Sequence, residues 1–186
     1  MLGEDGMIKD DGIICKINDQ HFIATTTSSG APKVLADMEE YLQTEWPHLQ
    51  VYLNSITEQF STFNISGPKN REIMMKVFPN IDFSNEAFPF MTFKNFDYQE
   101  TKIRIMRASF TGELGYEIIC DQEKGIKFWN EFISNDVQPI GLAARDTLRL
   151  EAGLNLYGTD MDQTNTPYDS NIGWTIDLND KDRDFI

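Results

Sequence analysis

The chain has 186 residues, 40% of them apolar, and a formal net charge of -14 from 16 basic and 30 acidic side chains, enough for one large or two small globular domains. That charge repels phosphate backbones and argues against a nucleic-acid partner, and no run approaches the roughly 18 to 20 apolar residues of a membrane span. The N-terminus lacks a basic, apolar signal pattern, and Cys15 and Cys120 show neither metal spacing nor a disulfide framework, so the expectation is a cytoplasmic protein with two free thiols packed in strands.

From the start, Met1 to Asp10 is polar and glycine-bearing and leads into Asp10-Asp11-Gly12. Ile13, Cys15 and Ile17 alternate along the chain, and strand formers resume from His21 to Thr27, which predicts a hairpin turning at Asn18-Asp19. Ser28-Ser29-Gly30-Ala31-Pro32 is a helix start with proline in the first turn, and Val34, Leu35, Met38, Tyr41 and Leu42 keep helical spacing until Pro47 ends the run. Val51 to Ile56 and Gln59 to Ile65 read as two more strands, and Ser66-Gly67-Pro68 opens a helix with Ile73, Met74 and Val77 on one face.

Pro79 to Pro89 is a loop, and Phe90 to Phe96 with Thr101 to Phe110 is a second hairpin. In this acidic chain the aromatic series Phe83, Phe88, Phe90, Phe93, Phe96 and Tyr98 reads as packing rather than as a stacking surface for single strands. Glu123 to Ser134 is an amphipathic helix expected to turn Phe128, Trp129 and Phe132 inward, and a last helix follows Pro139 toward Leu154. The acidic run Asp177 to Asp184 lacks the glycine and closing glutamate of a calcium loop and reads as a solvated tail, and His21 and His48 have no partner in a catalytic setting. Strands and helices interleave without βαβ repetition, so the fold class is α+β with mostly antiparallel sheets and packed helices.

The sequence is organised around Arg107-Ala108-Ser109-Phe110-Thr111-Gly112-Glu113-Leu114-Gly115-Tyr116-Glu117. Ile103 and Ile105 alternate with Lys102 and Arg104 before it, and Tyr116 to Cys120 is strand-like after it. Gly112 and Gly115 suit a tight reversal, which gathers a cation, a ring and a carboxylate into one small volume. By spacing alone a solvated hairpin loop accounts for the same residues.

This run resembles the signature of the folate-binding aminomethyltransferase family, which includes the glycine cleavage T protein. Gly141 to Leu154, G-L-A-A-R-D-T-L-R-L-E-A-G-L, with Tyr157-Gly158-Thr159-Asp160, looks like the same family's downstream block. The resemblance implies a T-protein-like folate-binding domain incomplete at both ends. Residues 1–48 would form a partial subdomain carrying Asp11, and 49–176 a second subdomain with the pterin site. Residues 177–186 would lead to a missing C-terminal barrel.

It also assigns roles. Asp11 matches the second, catalytic aspartate of the family's acidic pair. The chemistry asks for such a group, because a carboxylate that positions the attacking folate nitrogen lets a reactive one-carbon unit meet that amine before water. Glu117 matches the pterin-binding glutamate, suited to the ring's adjacent N–H donors. Arg145 matches the substrate-contacting arginine, whereas Arg149 and Glu151 keep helical spacing from it and read as structural ion-pair partners. Phe110 stands where many T proteins have tyrosine, so it packs on the ring without donating a hydroxyl bond. A polyanionic ligand would need a local cation cluster, with Arg107, Arg145 and Arg149 as candidates.

Thr25-Thr26-Thr27, Leu42 to Pro47, Ser55 to Gln59 and Leu114-Gly115-Tyr116 look most like the folate domain of the alpha subunit of heterotetrameric sarcosine oxidase. That resemblance implies condensation of the one-carbon unit of oxidised sarcosine with tetrahydrofolate, giving 5,10-methylenetetrahydrofolate and glycine. Its partners would be folate, a small intermediate derived from an N-methyl amino acid, and the other subunits. No Gly-rich dinucleotide fingerprint is present, so NAD and flavins are expected only in missing segments or other subunits, and no metal is expected. The alternatives are a free-standing aminomethyltransferase of the glycine cleavage system and a non-catalytic scaffold piece. All of these assignments rest on Asp11, Phe110, Glu117 and Arg145 converging on one cavity.

Overall fold

The computed structural model describes residues 1–179, and the chain divides into two units, Met1–Ser55 with Asn155–Ile186, and Ile56–Leu154. Of the acidic tail read from the sequence, the part from residue 180 onward lies outside the described residues.

In the first unit, β1 (Ile14–Asn18) and β2 (His21–Ala24) form the expected antiparallel hairpin. Asn18 Oδ1 accepts from the Gln20 amide at 2.9 Å, an Asx turn that reverses the chain. Cys15 is buried on β1. Helix α1 (Ala31–Thr44) begins with proline in its first turn, and it stops three residues short of Pro47, with Tyr41 and Trp46 stacked 5.4 Å apart at its end. The segment after Asn155 returns to this unit, where the Ile8 amide donates to the Asn165 carbonyl at 3.0 Å.

The second unit is built on an antiparallel sheet ordered β3 (Phe60–Ser66), β6 (Gly115–Asp121), β5 (Thr101–Met106), β4 (Phe93–Tyr98). Side chains alternate across a strand, so Ile65, Ile103, Ile105, Tyr116, Ile118 and Cys120 point to one face and are buried there. Met74 and Val77 of α2 (Asn70–Val77) and Phe128 and Phe132 of α3 (Gly125–Ser134) pack in the same core. Helix α4 (Leu142–Glu151) follows. Among the described residues no helix is long and apolar enough to cross a membrane.

Phe78 is the hub of the aromatic core, edge-on to Tyr98 at 4.8 Å and within 6.4 Å of Phe83, Phe128 and Phe132. The Tyr98 hydroxyl has two acceptors within reach, the Val77 carbonyl at 2.7 Å and Glu131 at 2.8 Å, and burial, with Glu131 beside it, pushes its hydroxyl up to about 12. Phe78→Leu keeps most of the volume but loses the ring geometry. It is expected to cost about 1–2 kcal/mol by denaturant unfolding without changing the fold.

Two sequence expectations fail. Val51 to Ile56 forms no strand, and Tyr52 is 96% exposed, because strand propensity expresses packing against neighbours and among the described residues no strand pairs with this run. Trp129 is 47% exposed rather than inward. Phe128 and Phe132 are one helical turn apart and take the core face, which leaves the intervening position rotated off it; the Trp129 ring lies 6.4 Å from Phe63 at the edge. Of the aromatic series, Phe83 and Phe88 are buried and Phe90 is exposed.

Candidate functional site

The reversal from Met106 to Gly115 closes the β5–β6 pair, with Met106 opposite Glu117. Gly112 takes φ 75°, and a Cβ there would also lie 2.5 Å from that of Ala152, so conformation and space both select glycine. At Gly115 an added Cβ would lie 2.5 Å from the Ser109 Cβ and 2.9 Å from Ser66 Oγ. Its absence lets the loop come down onto β3.

Glu117 lies between buried Tyr116 and Ile118 and therefore faces away from the apolar core. Directly opposite it on β3 is Asn64, whose Nδ2 donates to Glu117 Oε1 at 3.4 Å. Burial holds the Glu117 carboxyl above the ordinary glutamate value, against the smaller opposing effects of the Asn64 hydrogen bond and the Arg145 charge. Arg145, on α4, places its guanidinium carbon 4.4 Å from the Phe110 ring centroid, a cation–π distance, and it closes no ion pair with Glu117. Phe110, Glu117 and Arg145 are thus brought together in the second unit.

The other arginines are committed differently. Arg149 is 1% exposed, paired with Asp146 at 2.6 Å and bonded to the Leu154 carbonyl at 3.2 Å, so it is the structural ion-pair residue expected and not part of a cation cluster. Its expected companion Glu151 is exposed and makes no ion pair among the described residues. Arg107 donates to the Phe88 carbonyl at 2.7 Å and lines an open cleft of about 300 Å³ with Phe90, Ser109 and Glu113.

Asp11 belongs to the first unit. There the two neighbouring aspartates divide their work. Asp10 is 1% exposed, and its carboxylate accepts from the Asp11 amide at 2.7 Å, the Thr27 amide at 3.1 Å and the Thr27 hydroxyl at 3.0 Å, fixing the turn that enters α1. Asp11 is exposed, and among the described residues its carboxylate accepts only from the Gly12 amide, at 2.8 Å. Thr25 completes the frame, its hydroxyl accepting from the Ile13 amide at 2.9 Å.

From the sequence, Asn64, Ser66 and Ser109 have no role at the site, and Ser66, expected to open a helix, ends β3 instead. Asn64 and Ser66 are ordinary polar residues of a strand, and only the register that sets Asn64 against Glu117 and Ser66 against Gly115 gives them a place at the site.

The family model described as the GCVT N-terminal domain matches residues 1–180. Sarcosine oxidase subunit alpha of Corynebacterium sp. (strain P-1) is 37% identical over 191 residues, which cover 100% of this chain and 19% of that protein. An aminomethyltransferase of Francisella tularensis subsp. tularensis (strain WY96-3418) is 36% identical over 187 residues, 100% of this chain and 50% of that one. Among solved structures, glycine cleavage system aminomethyltransferase T from Bartonella henselae superposes with a TM-score of 0.76 at 27% identity, over 96% of this chain and 46% of that chain. The chain spans half or less of the length of these proteins.

Proposed function

The chain belongs to the GCVT N-terminal domain family, and from that premise we propose that its second unit binds the pterin ring of tetrahydrofolate. We further propose that the domain passes a one-carbon unit to that folate. The observation that supports this best is the Phe110–Arg145–Glu117 grouping. A carboxylate raised by burial and given one 3.4 Å amide donor gains most from a ligand that brings adjacent N–H donors, as the pterin edge does. The Phe110 ring offers an apolar face to the heterocycle, and Arg145 offers a cation for a carbonyl or carboxylate of the same ligand.

Asp11 is the proposed catalytic carboxylate. An exposed anion free of structural duty can hold the attacking nitrogen and steady an iminium carbon as the carbon changes partners. In the sarcosine oxidase reading, sarcosine is oxidised to its imine elsewhere. Its methylene carbon then leaves the glycine nitrogen for the folate nitrogens, with no further change of oxidation state, giving glycine and 5,10-methylenetetrahydrofolate. Flavin and NAD would be held by other segments or subunits. A free-standing aminomethyltransferase is the second reading, supported by 36% identity that is nearly the same as the 37% to sarcosine oxidase alpha. Turnover of sarcosine against a lipoyl-bound aminomethyl donor separates the two.

Tetrahydrofolate at about a hundred times its Kd is expected to stabilise the protein by about 2.7 kcal/mol and raise Tm by roughly 5–10 °C. A melting curve unmoved at saturating tetrahydrofolate would leave the scaffold reading standing and remove this one.

A further inference from the structure

Four hydrogen bonds run in series from the Thr111 loop to the Glu117 carboxylate. Thr111 Oγ1 lies 2.9 Å from Ser109 Oγ, Ser109 Oγ lies 3.2 Å from Ser66 Oγ, Ser66 Oγ donates to Asn64 Oδ1, and Asn64 Nδ2 donates to Glu117 Oε1 at 3.4 Å. Their direction follows from chemistry. An ionised carboxylate only accepts, so Asn64 must turn its NH₂ to Glu117 and its oxygen to Ser66. Ser66 then spends its one proton on Asn64 and must accept from Ser109, and Ser109 in turn accepts from Thr111. The Thr111 amide also points at Ser109 Oγ, at 3.2 Å. Every donor therefore faces the same way, the arrangement in which successive bonds polarise one another.

We propose that Asn64 is a positioning residue for Glu117, with its amide held in one orientation by the Ser66–Ser109–Thr111 hydroxyls, so that these residues set how tightly the pterin edge is bound. This rests on the reading of Glu117 as the pterin acceptor. With Asn64 reversed, two acceptor oxygens would face each other across the strands, whereas in the observed orientation the amide faces the carboxylate and the Ser66 hydroxyl donates to Asn64 Oδ1. The bare Gly115 backbone is what allows Ser66 and Ser109 to meet. The groups around Glu117 are Asn64 from β3, Met106 from β5 and Arg145 from α4. Arg145 is the charged one, and it is present in every variant named below.

The test is titration with tetrahydrofolate across pH for the wild-type protein and for Asn64→Ala, Ser66→Ala and Glu117→Ala. Asn64→Ala is expected to weaken binding about fivefold to tenfold, since a hydrogen bond to a charged group is lost at a partly solvated site. It is also expected to move the loss of affinity on acidification to higher pH, because the carboxylate loses a donor that favours its ionised form. Ser66→Ala should do the same to a smaller extent, and because Asn64 is exposed the ligand-free melting temperature of Asn64→Ala should fall only slightly at pH 7, where the carboxylate has lost a donor, and converge with wild type on acidification. Unaltered affinity and pH profile in Asn64→Ala, with binding abolished in Glu117→Ala, would overturn the role of Asn64 and leave the pterin site intact. Unaltered binding in Glu117→Ala would remove the site itself.

Discussion

Asp11→Asn is expected to lower the rate of one-carbon transfer to tetrahydrofolate by about 10²–10⁴-fold, the usual weight of a positioned acid or base, and to leave the fold in place. The second half of that expectation follows from the structure. Asp10 carries the hydrogen bonds to Thr27 and to the Asp11 amide, while Asp11 holds only its neighbour's amide at 2.8 Å and faces solvent. Removing its charge therefore disturbs little that holds the turn. Asp10→Asn is the control. It takes an acceptor from a buried set and is expected to lower stability by about 1–3 kcal/mol. The measurements are methylenetetrahydrofolate formed per turnover in the full-length protein, and the unfolding midpoint of each variant. A transfer rate in Asp11→Asn within a factor of two of wild type would strip Asp11 of its role.

Glu117→Gln is expected to weaken tetrahydrofolate binding by about 100-fold, roughly 3 kcal/mol, because the amide offers one acceptor and turns a donor toward the ligand's donors. Its effect on the ligand-free protein runs the other way. Burial raises the Glu117 carboxyl above its ordinary 4.5, so the folded state holds this proton more tightly than the unfolded chain does. Stability from this group is complete below the ordinary value and is lost as pH rises through the raised one. At neutral pH the wild-type chain therefore carries the cost of a half-buried anion, and the neutral isostere removes it. The variant should melt at the same temperature as wild type or above it at pH 7, and the two should converge on acidification. A variant that bound folate as tightly as wild type would end the pterin assignment; one that melted well below wild type at pH 7 would contradict the electrostatic account of Glu117.

The hairpin at Asn18 was legible because a two-residue period and an Asx turn are local properties, and α1 because its proline start and helical spacing are local too. The reversal around Gly112 and the placing of Glu117 near the start of the returning strand were legible for the same reason, reinforced by family resemblance. Where local pattern met tertiary competition it failed. Val51 to Ile56 carries strand formers but has no strand to pair with among the described residues, and Trp129 yields the core face of α3 to Phe128 and Phe132.

Amino-acid order by itself determined the antiparallel α+β class, the residue types at the candidate site and the family, since these depend on periodicity, turn chemistry and motif spacing along the chain. The folded arrangement alone decided that the chain returns to its first unit at Asn155, that Asp10 is structural while Asp11 is exposed, and that Asn64 meets Glu117 across 53 positions. The reason is physical. Burial, strand register and hydrogen-bond direction are relations between distant segments, and no window of the sequence contains both partners.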